Sequence, residues 1–298
     1  MNSIEGIIPE TLSQCLQLQI LLLNDNKLTG EIPEELGSLQ KLRYINFGNN
    51  LLTGVIPASL GNASSLAALY LYGNALSEGI PYSIGQLPLG FLNISHNNLE
   101  GFFPPSFGNL TSLMYFDVSY NKLTGGIPEW FGNLSSIITL DVTMNNLTGT
   151  IPSSLGLKAV YMYFNQLHGP IPMSLANATG LEDIELTGNK FSGVILPIWG
   201  HCQLQVLQLN RNRLQGILPS SVANLSTMLQ WLVLAETSSP VFYRVEIGRY
   251  VNLQNLDMKQ NFFISGSVPP SIETFELCNY WIYRPTISLE EFQTLSAT

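Results

Sequence analysis

Tyrosine is the residue type whose spacing in this chain suggests binding chemistry. Tyr70 and Tyr72 form one Tyr-x-Tyr pair and Tyr161 and Tyr163 form another. Side chains two apart on a strand point to the same face, and tyrosines there bury a large area at low entropic cost. The predicted ligand-binding set also contains Tyr44, Phe91, Tyr115, Asp117, Tyr120, Asp141 and Glu185. Two alternatives stay open: tyrosine favours any exposed strand, and Leu/Phe-Asp-Val-Ser/Thr recurs as scaffold sequence.

Residues that could support catalysis or bind a metal do not form a recognisable motif. The sequence has no nucleophile elbow, phosphate loop, dinucleotide fingerprint or zinc-protease motif. The three histidines, His96, His168 and His201, fall at different phases of the sequence. We therefore predict a protein that is not an enzyme, with no catalytic residue, cofactor or metal. Cys15 and Cys202 precede equivalent leucines, and we expect both to be small buried hydrophobic residues.

Asn-x-Ser/Thr sequons supply a second recurring chemistry, N-glycosylation. Five of them lie twelve residues after a repeated asparagine, so we expect them to form a column on one edge. An alternative is that Gly-Asn-Leu-Ser/Thr only suits a turn. Asn146 also begins a sequon, but it adjoins a position expected to be buried and is a poorer acceptor. The predicted glycosylation sites are Asn62, Asn93, Asn109, Asn133, Asn177 and Asn224.

A repeat with a step close to 24 residues must position all of these groups. Its clearest copy is Asn26-Lys27-Leu28-Thr29-Gly30-Glu31-Ile32-Pro33, and a Leu-x-x-Leu-x-Leu pattern precedes each copy. The Leu-x-Leu alternation predicts a strand with one buried face, stacked in parallel on its neighbours roughly 4.8 Å away. The recurring asparagine predicts an internal ladder of amides that bond backbone groups left unpaired by a bend. The glycine permits unusual backbone angles, and the Ile-Pro step precedes a short 3₁₀ or helical turn.

This repeat resembles the plant-specific class of leucine-rich repeats, which has the same Leu-x-Gly-x-Ile-Pro segment. The resemblance covers about residues 2–272. It implies an α/β fold, a right-handed leucine-rich-repeat solenoid with one parallel β-sheet on the concave face and short 3₁₀, helical and irregular turns on the convex side. It also implies membership of the receptor-like kinases, receptor-like proteins or secreted inhibitors of cell-wall-degrading enzymes. The shared scaffold does not choose among these functions.

The ends of the sequence predict the domain organisation. We assign residues 1–272 to a solenoid of about 12 repeats, the first truncated and the stretch 238–250 irregular. Residues 273–298 are expected to hold a degenerate terminal repeat and a capping helix opened by Ser288-Leu289-Glu290-Glu291. No signal peptide or membrane-spanning segment is visible. We therefore interpret the chain as a fragment of a longer protein that is extracellular or associated with the cell membrane.

Three functions follow as hypotheses. The first is recognition of an extracellular peptide, glycan or protein, with a co-receptor as a further partner, in signalling or defence. The second is inhibition of a polygalacturonase, and the third, ranked last, is ice binding by a row of outward threonines. The net charge of −9 with only 11% charged residues excludes a basic surface for nucleic acid or anionic lipid. We expect any ligand to bind between Tyr70 and Glu185, where the four-residue deletion before Asn165 also alters the curvature.

Overall fold

A computed structural model of the chain describes residues 3–153, 155, 157–177, 180–195, 202–215, 228–237, 252–259 and 280–282. It divides into two compact units, Met1–Gln166 and Leu167–Thr298, which we call the first and second units. The boundary predicted at residues 272/273 and the irregular stretch 238–250 lie outside the described residues, and so does the predicted capping helix. The domain assignment therefore stays a prediction.

Within each unit, three-residue strands, one from each repeat, pair in parallel, and we call them the main sheet of that unit. From Ile20–Leu22 to Asn255–Asp257 the middle residue of each strand is apolar and buried, as Leu69 and Leu140 are, whereas its two neighbours point to the other face, the outer face. In the first unit the strands are Ile20–Leu22, Tyr44–Asn46, Ala68–Tyr70, Phe91–Asn93, Tyr115–Asp117, Thr139–Asp141 and Ala159–Tyr161. In the second unit they are Asp183–Glu185, Val206–Gln208, Trp231–Val233, Asn255–Asp257 and Tyr280–Ile282.

The recurring asparagines form the predicted internal ladder. Asn121 is 8% exposed, and its Nδ2 donates to the carbonyls of Ile94, Val118 and Ser119 while its Oδ1 accepts the Leu99 N–H. Two of these partners belong to the preceding coil, so each amide joins consecutive repeats. The same pattern recurs at Asn50, Asn74, Asn97, Asn145 and Asn165 in the first unit. A polar group that is satisfied in this way can be buried without a net cost.

A second set of short parallel strands follows the ladder asparagines. From the sequence, these segments were expected to be irregular turns. In the strand Lys27–Thr29, for example, only the middle residue Leu28 is buried. In the first unit these strands are Glu5–Ile7, Lys27–Thr29, Ser77–Glu78, Asn98–Gly101, Lys122–Gly125 and Asn146–Leu147. In the second unit they are His168–Pro170, Lys190–Val194 and Arg213–Gln215.

The outward threonines of the ice-binding hypothesis lie on or beside these second strands. The hydroxyl of Thr53 donates to the Gly30 carbonyl at 3.4 Å, and the hydroxyl of Thr124 donates to the Gly101 carbonyl at 3.2 Å. Thr29 and Ser77 make the same bond to the preceding coil. The row of hydroxyls therefore joins neighbouring coils, which gives it a structural role.

Five-residue 3₁₀ turns complete most coils of the first unit, as predicted from the Leu-Gly segments. They are Glu10–Gln14, Glu34–Ser38, Ala58–Asn62, Tyr82–Gln86, Pro105–Asn109 and Glu129–Asn133, and the second unit has the α-helix Met173–Asn177. Consecutive turns approach so closely that a Cβ on Gly61 would lie 2.4 Å from the Cβ of Ser83. Glycine is needed there because of this contact. Among the described residues, no helix is long and apolar enough to cross a membrane.

The two cysteines predicted to be buried differ in the structure. Cys202 is buried, as expected, and burial raises the pKa of its thiol. Cys15 is exposed, so the prediction for this residue was wrong. The equivalent Leu39 is fully buried because coils pack against it on both sides, whereas among the described residues only the following coil packs against Cys15.

Candidate ligand-recognition face

The outer face of the main sheet in the first unit is aromatic and acidic. The strand segments that build it are residues 20–25, 44–49, 68–73, 91–96, 115–120, 139–144 and 159–164. They contain Asp25, Asp117 and Asp141 but neither lysine nor arginine, although the chain has 12 of these basic residues. The carboxylates of this face therefore have no lysine or arginine beside them on the same segments.

A cluster of three tyrosines lies on neighbouring strands of this face. The rings of Tyr44 and Tyr70 are stacked with centroids 5.3 Å apart and an interplanar angle of 30°. The ring of Tyr72 lies directly over Gly48, where an added Cβ would be 2.4 Å from ring carbon Cε1. Burial, followed by the neighbouring Tyr44, raises the pKa of Tyr70 to about 12, and burial also raises that of Tyr72. Both phenols therefore stay protonated at neutral pH and can donate a hydrogen bond.

Two carboxylates lie side by side further along the same face. Asp117 and Asp141 are partners on paired parallel strands, which places their Cα atoms about 4.8 Å apart. Asp117 is 7% exposed, and it accepts hydrogen bonds from the Ser119 N–H and hydroxyl and from the Tyr115 hydroxyl. Asp141 accepts the Thr143 N–H at 2.9 Å. Burial is the main cause that raises the pKa of Asp141 to about 6, and the neighbouring Asp117 adds to it.

Aromatic side chains also line one edge of the face, at and beside the residue that precedes each ladder asparagine. His96 stacks on Tyr120 with ring centroids 4.1 Å apart, and the hydroxyls of Tyr120 and Tyr163 are 3.5 Å apart. Tyr163 meets Phe164 edge to face at 5.7 Å. His96, Tyr120 and Phe164 all have φ between 51° and 52°, the left-handed region that turns the chain toward the ladder. This bend projects their side chains outward, where all three are exposed.

The structure places most of the predicted ligand-binding residues on the outer face of the first unit. Phe91 and Tyr120 are well exposed, at 40% and 38%. The half-buried members are Tyr44, Tyr70, Tyr72, Tyr115, Asp141, Tyr161 and Tyr163. Glu185 lies on the strand Asp183–Glu185 of the second unit, where it is half-buried. Their role in binding stays a prediction.

The structure adds two details to that prediction. Tyr72 and Tyr163 are half-buried, since the ring of Tyr72 lies over Gly48 and the ring of Tyr163 meets Phe164. Asp117 is buried beneath its hydrogen bonds with Tyr115 and Ser119. His96 and Phe164 also contribute to the aromatic edge, and neither belongs to the predicted ligand-binding set. Their signal was a position immediately before the ladder asparagine.

The four-residue deletion leaves the strand register intact. Thr139, Leu140 and Asp141 pair with Ala159, Val160 and Tyr161, although this coil is shorter than its neighbours. The second Tyr-x-Tyr pair is therefore carried on the same regular sheet within the first unit. Leu155 and Leu157, in the shortened connection, remain buried.

Three of the predicted glycosylation sites lie on the 3₁₀ turns and not on the strands of the main sheet. Asn62, Asn109 and Asn133 each end a 3₁₀ turn and are exposed. Asn93 lies on the outer face instead, and its Oδ1 accepts hydrogen bonds from the Ser95 N–H and hydroxyl. Asn146 is exposed beside the ladder. The side chain of Asn177 and the whole of Asn224 lie outside the described residues, so their glycosylation stays a prediction.

The described histidines and acids form no candidate metal centre. His96 is on the outer face of the first unit, His168 is on a second strand of the second unit, and His201 lies outside the described residues. Among the residues that the structure describes, no group of three or more histidine, cysteine, aspartate and glutamate side chains could hold a metal ion. The arrangement of the outer face therefore provides stacking, hydrogen bonding and charge complementarity.

Comparison with known proteins identifies the repeats. Two leucine-rich-repeat family models match, one at residues 17–76 and 89–147 and the other at 203–225. Receptor-like protein 41 of Arabidopsis thaliana is 31% identical over 120 residues, which cover 39% of this chain and 13% of that protein.

Solved structures of plant receptors share the fold. The plant peptide hormone receptor RGFR1, solved in complex with RGF2, is 32% identical with a TM-score of 0.82, over 92% of this chain and 48% of its own. A TDR receptor is 27% identical with a TM-score of 0.85, over 94% of this chain and 53% of its own. The chain thus spans about half of these receptors and a smaller part of receptor-like protein 41.

Proposed function

We propose that this chain, which carries leucine-rich repeats and is similar to plant receptors, is a non-catalytic recognition region of a plant receptor-like protein and binds an extracellular peptide or protein segment. The ligand lies along the outer face of the main sheet in the first unit, and its binding is passed on by other parts of a receptor-like kinase or receptor-like protein. RGFR1, which has the same repeat fold, is a peptide hormone receptor.

The observation that carries the proposal is the concentration of aromatic side chains on one regular face. Tyr44, Tyr70 and Tyr72 form one group, and Tyr120 and Tyr163 form another. Tyrosine is enriched at binding hot spots because it buries a large apolar area and keeps a polar tip. An extended peptide that crosses several strands could contact both groups.

The positions of the exposed sequons also support ligand binding at the outer face. Asn62, Asn109 and Asn133 lie on the 3₁₀ turns, outside the strand segments that carry the tyrosines of the outer face. Glycans on these asparagines would shield the turns and leave the outer face of the main sheet open. A secretory route for the parent protein, extracellular or at the cell membrane, is part of this proposal.

Selection from a displayed library of random peptides tests whether the outer face binds a peptide. The library is passed over the 298-residue chain and, in parallel, over a Tyr72→Ala/Tyr163→Ala variant. We expect peptides enriched on the parent to bind the variant about 5- to 150-fold more weakly, corresponding to 1–3 kcal/mol. Tyr82→Ala is the matched control, because Tyr82 is 60% exposed on a 3₁₀ turn. Enriched peptides that bind the double variant as tightly as the parent would refute the site.

Inhibition of a polygalacturonase is a second candidate, favoured by the aspartates and by the absence of lysine and arginine from the strand segments of the outer face in the first unit. Such a face would suit a basic enzyme surface. An inhibition assay against a panel of fungal polygalacturonases separates the two candidates. Inhibition by the parent chain that is lost in the Tyr72→Ala/Tyr163→Ala variant would support this candidate. If every polygalacturonase keeps full activity in the presence of the chain, inhibition of the tested enzymes is excluded.

A further inference from the structure

We propose that the two paired carboxylates, Asp117 and Asp141, with the adjacent Tyr115, form a subsite for a cationic side chain of the ligand, an arginine in particular. The inference rests on the proposed function, since it assigns one chemical preference to the same face.

The first step is that the carboxylate pair has no counter-charge within the described residues. Asp117 and Asp141 are Cα partners on adjacent strands, and no basic side chain of the described chain forms an ion pair with either. Burial and the neighbouring Asp117 both disfavour the charged form of Asp141. A cation from outside the chain would remove this cost.

The second step is that the two carboxylates accept different numbers of hydrogen bonds. Asp117 accepts three hydrogen bonds, from the Ser119 N–H, the Ser119 hydroxyl and the Tyr115 hydroxyl. Asp141 accepts one, from the Thr143 N–H, and it keeps acceptor capacity for a further donor. The Asp141 carboxylate is therefore where an incoming N–H group would bind, with Asp117 held in place beside it.

An independent observation is the hydroxyl of Thr143. This side chain is fully buried, and its Oγ1 has no hydrogen-bond partner. The equivalent Ser119 donates its hydroxyl to Asp117 at 2.7 Å. The Thr143 hydroxyl lies close enough to Asp141 to lower the pKa of that carboxyl, yet it makes no hydrogen bond of ordinary geometry. A buried hydroxyl without a hydrogen-bond partner is unfavourable. A bound donor that shifts the Asp141 carboxylate toward Thr143 would give this hydroxyl an acceptor.

The third step selects guanidinium over a simple ammonium. The hydroxyl of Tyr115, two residues before Asp117 on the same strand, donates to Asp117, and Tyr161 is the strand partner of Asp141, so each acid has a tyrosine beside it. A guanidinium can donate two parallel hydrogen bonds to a carboxylate while its plane stacks on a tyrosine ring. Lysine can satisfy the charge but provides no planar face.

The test uses N-acetyl-arginine amide and its neutral isostere N-acetyl-citrulline amide as probes, observed through the amide resonances of the isotope-labelled chain. The expected result is that the Ser119 and Thr143 amides respond to the arginine probe, with citrulline at least about tenfold weaker. Asp141→Asn should abolish the response. Asp25→Asn is the matched control, since it removes a carboxylate from the same face at a site engaged with Asn24 and Asn49.

A second measurement needs no variant of the site. The carboxyl resonance of Asp141 is titrated with and without the arginine probe, and a bound cation must lower the pKa of that carboxyl. Equal responses to arginine and citrulline, or an unchanged Asp141 titration, would overturn the subsite. If library peptides bind the face while the two probes behave alike, only the subsite fails. If the arginine probe binds at Asp141 while no peptide is enriched, the proposed function fails.

Discussion

Removing one amide of the asparagine ladder tests how the repeats are joined. Asn121→Ala deletes four hydrogen bonds, three donated to the carbonyls of Ile94, Val118 and Ser119 and one accepted from the Leu99 N–H. A buried N–H without a partner costs about 1–3 kcal/mol, and the loss of the other three bonds adds to this. We therefore expect the free energy of unfolding to fall by about 3–5 kcal/mol.

Two measurements check this expectation. Urea unfolding followed by circular dichroism gives the loss of stability, and hydrogen exchange at the Leu99 amide reports the broken bond directly. The matched control is Asn98→Ala, an exposed asparagine one residue from the ladder position Asn97, for which we expect a change within about 0.5 kcal/mol. A variant Asn121→Ala that loses less than about 1 kcal/mol, with Leu99 as protected as in the parent, would refute the role assigned to the ladder.

Three further predictions concern the core, the turns and the acidic pair. Leu140→Ala should lower the free energy of unfolding by about 2–5 kcal/mol in urea titrations, because Leu140 is fully buried and a cavity remains. Gly61→Ala should cost about 1–3 kcal/mol in the same assay through the contact with Ser83, whereas Gly79→Ala should be tolerated, its nearest contact being 3.8 Å away. The pKa of Asp141 is raised from 3.8 to about 6, so folded protein holds this proton more tightly and stability must fall as pH rises through about 6. Thermal melts across that range should show that the parent loses at most about 3 kcal/mol of stability, and Asp141→Asn should not show this loss. An identical pH dependence of stability in parent and variant would contradict the assignment to Asp141.

The sequence predicted those parts of the fold that depend on the repeat. The buried middle leucine of each strand, the asparagine ladder and the 3₁₀ turns all follow from residues that recur at a fixed phase, because every coil places them in the same environment. The second strands were missed because each buries at most one residue, such as Leu28, and so short a pattern cannot be told from a turn.

The candidate site was less predictable, since its residues are those that vary between repeats. Alternation located Tyr70 and Tyr115 on the outer face, but it gave no measure of how far each ring lies against its neighbours. The burial of Asp117 depends on Ser119 and Tyr115, which enclose it through hydrogen bonds. The prediction that Cys15 is buried was wrong for a similar reason. Burial at this position requires a coil on each side, and the repeat pattern alone does not show whether both coils are present.

The position of a bound ligand on the surface tests the central claim most directly. A peptide enriched on the parent chain is synthesised with a benzophenone group and cross-linked by light, and the attachment points are identified by mass spectrometry. We predict attachment within residues 44–49, 68–73, 115–120 and 159–164, the strand segments that carry the tyrosines of the outer face. Attachment concentrated on the 3₁₀ turns, such as Ala58–Asn62, or on second strands such as Lys122–Gly125, would contradict the account.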